Sequence, residues 1–63
     1  MDAEALFLRG KEAADRGNYE YAITIFRDVL RFNPSHRNSR IALRGCELEQ
    51  FRERGGKAKL MAL

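Results

Sequence analysis

The sequence is short of the residues that most often carry covalent or catalytic chemistry. There is one cysteine, one histidine, one proline and no tryptophan in 63 residues. A single Cys46 excludes a disulfide within the chain, and one Cys with one His is too few for a structural zinc site. Long apolar runs are missing as well. None approaches the ~20 residues needed to cross a bilayer, so no membrane-spanning segment is expected. The N-terminus carries Asp2 and Glu4 where an export signal would be basic and then hydrophobic. With one free thiol, which suits a reducing compartment, this makes the cytoplasm the expected location.

Acidic residues become scarce toward the C-terminal end. The net charge is +3, and seven of the twelve Lys and Arg residues follow Pro34, against three of the nine Asp and Glu. A basic half can attract an anionic partner, and Arg37, Arg40, Arg44, Arg52, Arg54, Lys57 and Lys59 would carry nucleic-acid binding. No aromatic interleaves these residues beyond Phe51 and no base-reading motif accompanies them. A solvated helix face is the expected reading, and nucleic acid is not the expected partner.

Apolar residues make up 44% of the chain, enough for one small helical domain. They concentrate in Tyr19–Phe32. Tyr19, Ala22, Ile23, Phe26, Val29 and Leu30 recur at steps of three and four, one face of an α-helix. Tyr21, Ile25 and Phe32 form a second stripe. A helix apolar over most of its circumference must be covered on two sides, and the flanking segments supply the cover. A first helix is expected over about 2–16, with Asp2 and Glu4 at its positive N-terminal end. Its Leu6, Gly10, Ala13 and Ala14 form a face of mostly small residues, with Phe7 and Leu8 widening the apolar surface. Glycine inside a helix costs up to ~1 kcal/mol relative to alanine, and close packing of another element is the simplest compensation.

Gly17 fits a helix-ending left-handed turn and Asn18 a cap for the next helix. So short a connection makes the first two helices, about 2–16 and 19–32, an antiparallel hairpin. Pro34 turns Asn33 away from helical geometry. A third helix is expected over about 36–54, capped by Ser35 or Asn38 and anchored by Ile41, Leu43, Leu48 and Phe51. Gly55-Gly56 is a breaker, leaving residues 56–63 as a tail or a truncated fourth helix. The fold expected is all-α: an antiparallel helical hairpin plus a third, covering helix, within one domain of residues 1–55.

Residues 5–12, Ala-Leu-Phe-Leu-Arg-Gly-Lys-Glu, are echoed by residues 40–47, Arg-Ile-Ala-Leu-Arg-Gly-Cys-Glu, at an offset of thirty-five. Self-similarity at such a period marks stacked helical repeats. The pattern Ala5, Leu6, Gly10, Gly17, Tyr19, Ala22, Phe26, Val29-Leu30 and Pro34 resembles one tetratricopeptide repeat. Residues 35–55 resemble the first helix of a second repeat or a capping helix. The chain departs from the family pattern at Ala13, where an aromatic is usual, and at Val29, where Ala is usual. Its connection after Pro34 is one residue longer, and the Gly45–Gly55 interval exceeds Gly10–Gly17 by three residues.

The resemblance implies a non-catalytic protein-interaction or scaffolding module that takes a partner peptide or helix in a groove between the first and third helices. Carried over by position, that groove would show Glu4, Phe7, Lys11 and Ala14 from the first helix, and Ser39, Ala42, Cys46 and Glu49 from the third. Phe7 would be an aromatic anchor in a desolvated pocket or packing against a neighbour. Family members that clamp a C-terminal carboxylate do so with a Lys/Asn set. Here Phe7, Lys11, Leu43 and Cys46 stand at the matching positions and only Lys11 fits, so that mode is not expected. One repeat and a closing helix fall short of the ~3 units such arrays need. The alternative function is therefore self-association, with Leu60, Met61 and Leu63 docking on a sister chain. No cofactor, metal or catalytic residue is expected. His36 is read as a solvated or capping residue and Cys46 as a small core residue.

Overall fold

The first helix starts where Asp2 sets its carboxylate over the open N–H groups: Asp2 Oδ1 accepts from Glu4 N at 3.1 Å. From this cap α1 runs over Ala3–Asp15 in the computed structural model, which describes residues 2–56. Gly17, at φ 80°, ends it. Gly17 N donates to the Ala14 carbonyl and Asn18 N to the Ala13 carbonyl, both at 2.9 Å. These are the two reciprocal bonds of a Schellman turn, which needs a left-handed residue that glycine supplies without strain. The turn reverses the chain directly into α2, Tyr19–Phe32. Asn18 occupies the cap position of α2, yet its side chain makes no capping bond. Its backbone N–H is already committed to Ala13, and its carbonyl accepts from Ala22 N at 3.1 Å.

Phe26 lies fully buried at the centre of α2, with Ala22 and Val29 beside it. Its ring presses on Gly10 of α1. A Cβ placed on Gly10 would stand 2.6 Å from Phe26 Cε1, closer than real contacts allow. Gly10 is therefore the site of closest approach between the two helices, as its place in the helical pattern implies. Burying one such aromatic is worth about 1.5–3 kcal/mol, which offsets the ~1 kcal/mol helix penalty of the glycine.

After Asn33 the chain turns tightly. Asn33 Oδ1 accepts from Ser35 N at 3.2 Å, and Asn33 O accepts from His36 N at 3.0 Å. The cap of α3 is neither Ser35 nor Asn38 but His36, whose Nδ1 accepts from Ser39 N at 3.2 Å. The Asn33 turn occupies Ser35, leaving the imidazole as the acceptor in reach. The helix α3 then spans Arg37–Phe51 and packs on α2 from the side opposite α1's main contact. The middle helix is thus covered twice, and the architecture is an antiparallel hairpin with a third helix laid against it.

Two details of the third segment differ from expectation. Of its proposed anchors only Leu43 is partly buried; Ile41, Leu48 and Phe51 are exposed. The inward face is Ser39, Ala42, Leu43 and Cys46, side chains small enough to let α3 lie close to Phe26 and Ile23. The α-helix also ends three residues early, at Phe51, and Arg52–Gly56 wind on as a wider, π-type turn. Gly55-Gly56 thus loosen the helix rather than break it. On α2, Ile25 is buried while Tyr21 and Phe32 of the same stripe are exposed, because the neighbours cover the middle of that flank and not its ends. The expected tail or fourth helix, and with it Leu60, Met61 and Leu63, lies outside the described residues apart from Gly56.

Candidate functional site: the groove between the first and third helices

α1 and α3 both lean on α2 and meet each other at few points, so a furrow opens between them. At its centre is a cavity of about 270 Å³ lined by Lys11 and Ala14 from α1, Tyr19 and Phe26 from α2, and Ala42, Gly45, Cys46 and Glu49 from α3. The floor is apolar and largely aromatic. The walls end in one positive and one negative side chain, Lys11 on α1 and Glu49 on α3. The small residues Ala14, Ala42 and Gly45 make the space, since larger side chains there would fill it.

At the floor, burial pushes the Cys46 thiol above its ordinary pKa, with Glu47 and Glu49 pushing in the same direction and Lys11 opposing. A thiol held in its protonated form is a poor nucleophile. Burial likewise raises the Tyr19 phenol, helped by the negative charges of Glu49 and Glu53. Its O–H is therefore kept as a hydrogen-bond donor at neutral pH. Among the described residues no group of three His, Cys, Asp or Glu side chains is placed to hold a metal ion. No helix there is long and apolar enough to cross a membrane.

The residues carried over from the repeat pattern divide into three sets. Lys11, Ala14, Ala42, Cys46 and Glu49 meet around the cavity. Glu4 and Phe7 are tied together at the other end of the furrow. Glu4 Oε1 accepts from His36 Nε2 at 2.7 Å, and the Phe7 ring packs at 5.2 Å from the imidazole and 5.7 Å from the Phe26 ring. Phe7 is therefore internal packing and does not line the cavity. Ser39 is fully buried, its hydroxyl without a protein hydrogen-bond partner. It lies under α3 rather than on the groove wall, because the packed face of α3 rotates it inward with Cys46.

Tyr19 and Phe26 complete the groove and were missing from the carried-over positions. Both belong to the middle helix, which a pattern confined to the first helix of each repeat leaves out. Their aromatic character at the start and centre of the apolar stripe was the available signal. His36 is the other residue the structure gives a role. It caps α3 with Nδ1 and bonds α1 with Nε2, so one imidazole ties the ends of both groove walls. Accepting at Nδ1 while donating at Nε2 fixes the neutral tautomer.

No protein-family model, no curated protein and no solved structure matches this chain.

Proposed function

We propose that this chain is a non-catalytic protein-interaction module of the tetratricopeptide type, taking a partner peptide or helix in the groove between α1 and α3. The observation that carries the reading is the cavity itself: a space of about 270 Å³ floored by Tyr19, Phe26 and Cys46 and flanked by opposite charges on its two walls. An apolar side chain of the partner enters it, an acidic neighbour pairs with Lys11 and a basic one with Glu49. Desolvated anchors of this kind carry most of the energy of peptide recognition. The helical repeat pattern over residues 5–34 supports the same reading. So does the protonated, buried state of the one thiol, which suits packing rather than reaction.

A random peptide library tests the groove whatever its partner is. Peptides selected by phage display on the immobilised chain are re-measured against Ala42→Trp, which fills the cavity, and Lys11→Glu, which reverses one wall. The selected peptides should bind Ala42→Trp at least about tenfold more weakly, a loss of one anchor contact, and Lys11→Glu more weakly where they carry an acidic residue. Selected peptides that bind both variants as well as the parent chain would remove the groove from consideration.

A further inference from the structure

The thirty-five-residue echo assigns each position of α1 a counterpart on α3: Leu6 to Ile41, Gly10 to Gly45, Ala13 to Leu48. On α1 these three positions form the face that receives α2, with Gly10 and Ala13 buried and Leu6 half-buried. On α3 the same positions meet no neighbour. Ile41 is 64% and Leu48 58% exposed, and Phe51 extends the stripe at 53%. A side chain at Gly45, on the edge between this stripe and the groove, would touch nothing within 4 Å. Helix geometry sets Arg37, Arg44 and Arg52 along the same outward face.

Tyr21 and Phe32, on α2, are also exposed. The side of α2 facing α3 is marked by Arg27, 3.7 Å from Glu47, and by Glu20, 4.0 Å from Arg54. Tyr21 and Phe32 project from a different flank, with Ile25 and Asp28 between them. The spacing of Tyr21, Ile25, Asp28 and Phe32 is four, three and four residues, the spacing of Ile41, Gly45, Leu48 and Arg52.

We propose that these two surfaces are the halves of one interface between copies of this chain: the outer face of α3 on one copy packs antiparallel on the Tyr21–Phe32 flank of α2 on a second. In that register Phe32 meets Ile41, Ile25 meets Leu48, and Tyr21 lies against Arg52. Asp28 comes opposite Gly45, the position with room for it, beside Arg44. The three arginines of one surface and the acid at the centre of the other make a second copy the fitting occupant. An α3-to-α3 pairing would oppose Arg37 to Arg52 in an antiparallel dimer. Because the two halves differ, the contact is heterologous, and each copy offers one of each. The groove residues Lys11, Ala42 and Glu49 take no part, so failure of this interface leaves the peptide-binding reading standing.

Mixing two single-face variants of the full chain tests the pairing. Ile41→Lys/Leu48→Glu blocks the α3 face, and Tyr21→Lys/Phe32→Glu blocks the α2 flank. All four positions are exposed, and unchanged helical circular dichroism checks folding. In sedimentation velocity the parent chain should grow in mass from micromolar to millimolar concentration. Each variant alone should remain monomeric, with association weakened about 30-fold or more as for loss of hot-spot contacts. An equimolar mixture should give dimers and stop there, since each variant keeps one intact half. A parent chain that stays monomeric throughout would overturn the proposal. So would an α2-flank variant that associates like the parent, since another copy's α3, or another segment of the chain, would then cover α3.

Discussion

Gly10 and Gly45 each close a Leu-Arg-Gly triplet at the same register on a helix that flanks α2, and their surroundings are opposite. Gly10 lies against the Phe26 ring, with no room for a methyl group. Gly45 has open space around its Cα. One local pattern thus serves two purposes, and the difference comes from what lies opposite it. Where an aromatic arrives, as at Gly10, the glycine is a packing device that determines how closely two helices approach. Where none arrives, it leaves a smooth seat at the edge of a groove and of an unpartnered stripe. α1 is consequently held by an aromatic set into its backbone, and α3 by small side chains and a histidine cap.

Substitutions can break this comparison in order of effect. Phe26→Ala removes the ring that joins α1 to α2 and lines the groove floor. A loss of about 3–5 kcal/mol is expected for a buried phenylalanine, enough to unfold much of a domain this small, and urea titration followed by circular dichroism measures it. Gly10→Ala comes next. Its methyl group collides with a ring that has nowhere to move, and overpacking of this kind costs about 1–3 kcal/mol, against which better helix propensity returns up to ~1. A net loss in the urea midpoint is expected, larger for Gly10→Val. His36→Ala removes the α3 cap and its bond to Glu4 together. About 1 kcal/mol follows from the cap alone, with faster amide exchange in the first turn of α3. Gly45→Ala should act in the opposite direction to Gly10→Ala, stabilising by about 0.5–1 kcal/mol through helix propensity in open space. If Gly10→Ala and Gly45→Ala shift the midpoint with the same sign, the contrast between the two helices is wrong.

What could be read from residues alone follows from how local the cause is. The hairpin was legible because Gly17, the apolar periodicity of 19–32 and Gly10 act within a few residues or across one antiparallel contact. Phe26 announced itself as the centre of the stripe, and Gly10 as its seat. The third helix was legible in existence but not in orientation. Ile41, Leu48 and Phe51 are the larger apolar residues and invite the inference that they face inward. The contact with α2 selects Ser39, Ala42 and Cys46 instead, because close approach favours small side chains over large ones. Hydrophobicity ranks residues singly and does not register that preference. The cap of α3 escaped notice for a related reason: Ser35 and Asn38 are better capping types than His36, but the Asn33 turn had already occupied Ser35. The groove walls came from the repeat pattern, and its floor did not, since Tyr19 and Phe26 belong to the helix between them.

The account depends most on α3 lying against α2 through its small-residue face, and Cys46 reports on that contact directly because it is the one thiol in the chain. Its rate of labelling by an uncharged disulfide reagent, compared in buffer and in urea, measures how well the face is covered. Burial and a raised thiol pKa predict labelling at least about tenfold slower in the folded chain, with the rate in Ala22→Asp, which disrupts the α2 surface beneath, approaching that in urea. Equal rates in buffer and in urea would show that α3 does not cover α2, and the groove between α1 and α3 would have no second wall.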